Sequence, residues 1–95
     1  MRNFEMKMII ANIDDSISAD ILENLVNANF RVTQLAATGG FLRGGATTLM
    51  IGVEENLVKN ALDVLRDNIL NHPDYEENIA TIYVLKVRNF NRLVS

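Results

Sequence analysis

The sequence predicts an α+β fold of ferredoxin-like βαββαβ topology, a four-stranded antiparallel sheet with two helices on one face. Three observations lead there: four short β-prone segments, two stretches whose apolar residues recur at helical spacing, and turn-forming residues at the joints. These segments alternate as two βαβ units, whose right-handed crossovers place both helices on the same side of the sheet.

The first strand is residues 6–13, a run of Met6, Met8, Ile9, Ile10, Ala11 and Ile13 closed by Asp14-Asp15-Ser16. A helix over 16–28 follows, because Ile17, Ile21, Leu22, Leu25 and Val26 fall on one side of a 3.6-residue period. Ser16 has a hydroxyl suited to its N-cap, and Asp20 adds negative charge near its positive end. Asn27-Ala28-Asn29 is a tolerant exit, and residues 30–38 alternate as a second strand, with Val32 and Gln34 opposed to Arg31, Thr33 and Leu35. Residues 39–46 hold four of the chain's five glycines and form a hairpin loop before a third strand over 47–53. Glu54-Glu55 begins the second helix, Leu57, Val58, Ala61, Leu62, Leu65 and Ile69 mark its buried stripe, and Pro73 ends it. After a short connection at 71–78, residues 79–87 supply the fourth strand, with a polar tail at 88–95.

A chain of 95 residues has room for one core, so residues 1–95 are expected to form one domain. With no cysteine it has no disulfide, thiolate metal site or cysteine nucleophile, as suits a reducing compartment. No stretch approaches the ~20 apolar residues that span a bilayer, and Met1–Met6 lacks the pattern of a signal peptide, so the expected location is the cytoplasm. A net charge of -3 disfavours general attraction to nucleic acid or anionic membrane. The strands carry apolar residues at consecutive positions, as in Met8-Ile9-Ile10-Ala11 and Ile82-Tyr83-Val84-Leu85, hence on both faces of the sheet. Helices cover one face only, so an obligate homo-oligomer is expected to cover the other.

Catalysis has no evident carrier. The single histidine, His72, sits beside Pro73 and reads as a surface residue, and Asp14-Asp15 reads as a helix cap with solvated charge. Phosphate-loop, dinucleotide-glycine and histidine–glutamate metal motifs are missing from the sequence, so no enzyme, metal or cofactor is expected. The glycine loop is more informative. Two glycine pairs flank Phe41-Leu42-Arg43, so backbone N–H groups, a stacking face and the guanidinium of Arg31 or Arg43 suit a nucleotide. The spacing alone leaves equally open a flexible hairpin with Phe41 tucked into the core or a subunit contact.

Phe30-Arg31-Val32-Thr33-Gln34-Leu35-Ala36-Ala37-Thr38-Gly39-Gly40-Phe41-Leu42-Arg43, followed by Gly45 and Thr47-Thr48, resembles the PII-like cyclic-di-AMP receptor family. The likeness extends less tightly to Lys7–Ala11, Gly52-Val53, Thr81–Leu85 and Phe90. It implies a PII-like homotrimer, a cyclic dinucleotide in each cleft between subunits, and signalling through a downstream protein partner. The positions carried over as ligand-binding are Asn29, Arg31, Thr33, Gly40, Phe41, Leu42 and Gly52, to which the loop adds Gly39 and Arg43. This chain departs from the family pattern in three places. Ala46 stands where an asparagine is usual, the 71–78 connection is much shorter than usual, and Arg92 replaces a glutamine that relatives can place near the ligand. These departures motivate the alternative of a trimeric protein-interaction module that has lost its nucleotide.

Overall fold

The computed structural model describes residues 5–35 and 45–87. The chain runs β1 (Met6–Asp14), α1 (Asp15–Asn27), β2 (Val32–Gln34), β3 (Ala46–Glu54), a 3-10 turn (Glu55–Leu57), α2 (Val58–Leu70) and β4 (Ala80–Val87). The strands form one antiparallel sheet in the order β2-β3-β1-β4, the expected βαββαβ arrangement. Residues Gly39 to Arg43 and the tail with Phe90 and Arg92 lie outside the described residues.

The sheet has two distinct faces because β1 pairs in register on both sides and its side chains alternate. Ile9 lies opposite Ile51 and Val84, and Ala11 opposite Leu49 and Ile82, so these odd residues of β1 and β3 share the helix-covered face. Ile9, Ala11, Ile13, Leu49 and Ile51 are fully buried there with Ile21 and Leu25 of α1 and Ala61 and Leu65 of α2. Each large aliphatic side chain in this layer contributes roughly 1.5–3 kcal/mol by leaving water. On the opposite face the same register aligns Met8 with Gly52 and Leu85, and Ile10 with Met50 and Tyr83. No element described here covers that face. Tyr83 and Leu85 are 56% and 48% exposed, as the consecutive apolar residues require.

Several boundaries differ from the sequence reading. Helix α1 begins one residue early because Asp14, rather than Ser16, is its N-cap: an Asp14 carboxylate oxygen accepts the Ser16 N–H at 2.9 Å. A carboxylate is the better acceptor at the positive end of the helix, and Ser16 becomes the donor. Glu54 and Glu55 do not begin α2 directly, since a 3-10 turn precedes it. Helix α2 stops at Leu70, three residues before Pro73. The described part of the second strand is only Val32–Gln34. His72 is not a free surface residue. Its side chain is 11% exposed, Nε2 lies 2.8 Å from an Asp20 carboxylate oxygen, and Nδ1 accepts the Asp74 N–H at 3.0 Å. His72 thus ties α1 to the connection after α2.

The Ser16 N–H, and secondarily its side chain, hold Asp14 below its ordinary value of 3.8. The cap therefore contributes stability at neutral pH that is lost as pH falls through the depressed value. Asp14→Ala is expected to lower unfolding free energy by about 0.5–2 kcal/mol in urea denaturation at pH 7. The difference between the two proteins should shrink on acidification, and equal stability at pH 7 would remove the cap from the account.

Candidate functional site

Helix α1 ends in a tight left-handed turn that aims the chain into β2. Asn29 has φ 71°, its N–H donates to the Val26 carbonyl at 3.0 Å, and the Phe30 N–H donates to the Leu25 carbonyl at 3.1 Å. Asparagine is among the few residues that tolerate this conformation. Phe30 then packs against the core, and Arg31 and Thr33 follow at alternate positions. Thr33 pairs with Met50, so both belong to the face away from the helices.

There a cleft of about 290 Å³ is lined by Met6, Met8, Arg31, Thr33, Met50 and Gly52. Three of the four sequence-predicted ligand residues in the described chain, Arg31, Thr33 and Gly52, come together in it. The fourth, Asn29, does not line it, and its left-handed turn gives it a structural role. Gly52 is not required by backbone strain or crowding, because a Cβ built there would meet nothing within 4 Å. Its missing side chain leaves space in the cleft between Met8 and the start of β2. Arg31 is exposed and forms no salt bridge among the described residues. Its guanidinium can therefore address an anion. The three methionines are the lining residues that sequence reasoning missed; their placement on the even side of β1 and β3 was the available signal.

The glycine loop leaves from anchored ends. The Leu35 N–H donates to the Thr48 carbonyl at 2.8 Å, and the Gly45 carbonyl accepts the Asp15 N–H at 3.0 Å. Thr47 is buried and donates through Oγ1 to an Asp15 carboxylate oxygen at 2.6 Å, which fixes β3 against the start of α1. Asp14 and Asp15 are thus occupied in capping and bracing. Ala46 pairs with Asp14 and lies six residues before Gly52, about 20 Å away at ~3.3 Å per residue. The loop base and the cleft consequently stand at opposite ends of β3.

A larger groove of about 410 Å³ lies between α1 and α2, lined in part by Asp20, Glu23 and Asp67. Its carboxylates would repel a phosphate-bearing ligand, which makes the cleft with Arg31 the better candidate.

A scan against family models matches residues 6–74 to the family described as cyclic-di-AMP receptor. The chain belongs to the cyclic-di-AMP receptor family. A functionally unknown protein from Pediococcus pentosaceus is 30% identical, with a TM-score of 0.75 over 93% of this chain and 97% of that one. Arabidopsis thaliana PII, solved with citrate, is 17% identical, with a TM-score of 0.68 over 87% of this chain and 78% of that one. CPII from Thiomonas intermedia, solved with ADP, AMP and acetate, is 14% identical, with a TM-score of 0.62 over 92% and 90%. The last two show a PII-like fold for this member of the receptor family. No helix among its described residues is long and apolar enough to cross a membrane.

Four charged residues gather where β1 begins and β4 ends, near the Met6 end of the cleft. Lys86 Nζ lies 3.2 Å from a Glu5 carboxylate oxygen, and Lys7 Nζ lies 4.0 Å from Glu55. A hydrogen bond shared with Glu55, and then Lys86, hold the Glu5 carboxyl below the ordinary Glu value, while the Glu5 carboxylate pushes Glu55 above it. The two carboxyls are expected to titrate in separate steps, with Glu55 taking up its proton first as pH falls. NMR titration of the side-chain carboxyls checks this, and Lys86→Ala should narrow the gap by raising Glu5. A single shared midpoint in the unaltered protein would contradict the arrangement.

Proposed function

We propose that this protein is a non-catalytic PII-like signalling receptor that binds cyclic-di-AMP or a related nucleotide at clefts between the subunits of a homotrimer. The observation that carries this reading is the meeting of Arg31, Thr33 and Gly52 in one cleft on the uncovered sheet face, in a chain of the cyclic-di-AMP receptor family. Arg31 is suited to a phosphate, the Thr33 hydroxyl to a polar edge, and the space at Gly52 to close approach. The nucleotides bound to the CPII structure support a nucleotide as the class of ligand.

Separation of the cleft from the loop base supports an inter-subunit position. The proposed ligand meets Arg31 of one subunit and Gly39, Gly40, Phe41, Leu42 and Arg43 of a neighbour. The apolar face bearing Ile10, Met50, Tyr83 and Leu85 supplies the driving force for assembly. Signalling then proceeds by occupancy: the bound ligand changes how the loop is presented to a downstream protein.

A second reading, a trimeric interaction module without nucleotide, is favoured by Ala46 and by the short 71–78 connection. A methyl group neither donates nor accepts a hydrogen bond, so one amide contact of the family pattern is missing.

Calorimetry with cyclic-di-AMP separates the two. Binding is expected to weaken by about 1.5–3 kcal/mol in Arg31→Ala, as for a lost charge-assisted hydrogen bond. Gly52→Val should fill the cleft and abolish binding while changing stability by less than ~0.5 kcal/mol. No heat with the unaltered protein would favour the second reading, and undiminished affinity in both variants would move the ligand elsewhere.

Assembly is tested independently by light scattering, in which the unaltered protein should run as a trimer. Met50→Glu, on the uncovered face, should break the trimer while retaining helix content; Ile82→Glu, packed against the core, should unfold the chain. A monomeric unaltered protein would refute the assembly.

A further inference from the structure

The cleft has a polar rim and a floor of one chemical kind. Arg31 and Thr33 come from the β2 side, whereas Met6, Met8 and Met50 approach from β1 and β3. Three of the chain's four methionines therefore converge on one cleft. The register accounts for this: Met6 and Met8 are alternate residues of β1, Gly52 lies opposite Met8, and Met50 lies two residues from Gly52 on the same side of β3. All three methionines are only partly buried, and the helix-covered core beneath the sheet contains none of them. Their placement is not explained by filling that core.

Thioether side chains are polarizable and adaptable, and they make favourable contacts with aromatic rings. A floor of them beside a guanidinium with no salt bridge among the described residues is complementary to a ligand with one flat aromatic part and one anionic part. The absent side chain at Gly52 leaves space at the centre of that floor. At about 290 Å³ the cleft falls near the lower limit of small-molecule sites, room for part of a cyclic dinucleotide rather than the whole. We infer that Met6, Met8 and Met50 form a base-receiving subsite, on which one purine ring of the nucleotide lies flat while its phosphate meets Arg31. This rests on the nucleotide-binding reading above and adds which part of the ligand enters the cleft and what holds it.

The test uses the full chain with methyl-¹³C methionine, whose four methyl signals can be resolved and assigned by single Met→Leu substitutions. Titration with cyclic-di-AMP is followed by calorimetry and NMR on the same samples. A purine stacked on the floor should move the Met8 and Met50 methyl signals upfield by its ring current. Met8→Gln and Met50→Gln keep side-chain length but lose the thioether, and each should weaken binding about 2- to 12-fold, the range expected for one sulfur–aromatic contact. Circular dichroism and light scattering verify that both variants stay folded and keep the assembly state of the unaltered protein. Heat of binding without upfield methyl shifts would overturn the subsite and leave the receptor function standing. Neither heat nor shift would overturn both.

Discussion

Everything in this molecule depends on the pairing of β1 between β3 and β4. Because β1 is held on both edges, its side-chain alternation is imposed across three strands, and a slip of one residue would exchange the two faces completely. In the observed register Ile9, Ala11 and Ile13 meet the helices, while Met6, Met8 and Ile10 face away from them. The same constraint that completes the core creates an apolar surface with no cover inside the chain. It also sets Gly52 opposite Met8, where a missing side chain becomes space for something else.

The helices serve this sheet from one side and deliver the site residues to the other. Asp14 caps α1, Asp15 braces Thr47, and Asn29 turns the chain so that Arg31 and Thr33 emerge beside Met50. His72, bonded to Asp20 and accepting the Asp74 N–H, ties α1 to the connection after α2. These polar contacts are local, but each sets the direction of a segment whose side chains do something elsewhere.

Much of this was legible in the sequence, for physical reasons that differ by element. Consecutive apolar residues in β1 and β4 revealed a two-faced sheet, because a period of two admits no other reading. The run from Phe30 to Arg43 carried the family, and the scan over residues 6–74 agrees with it. Arg31 and Thr33 were legible as neighbours on one strand face, whereas Gly52 joined them only through the family pattern. Asp14 was legible as a cap-type residue, but Ser16 is equally acceptable on sequence grounds, and only the chain path decides which of them caps α1. His72 was misjudged because its partner Asp20 lies 52 residues away, a separation no local pattern reports. The methionine floor was missed for a related reason: alternation puts Met6 and Met8 on one side of β1, but only strand pairing brings Met50 beside them.

On the proposed function the ligand fills a gap that the fold leaves open, on the same uncovered sheet face through which the subunits would assemble. A crystal structure of the protein grown with cyclic-di-AMP tests this most directly. It should show three subunits packed through their uncovered sheet faces, with the ligand touching Arg31, Thr33 and Gly52 of one subunit and the glycine loop of its neighbour. A trimer with those clefts empty and the nucleotide bound elsewhere, or subunits joined through their helices, would contradict it.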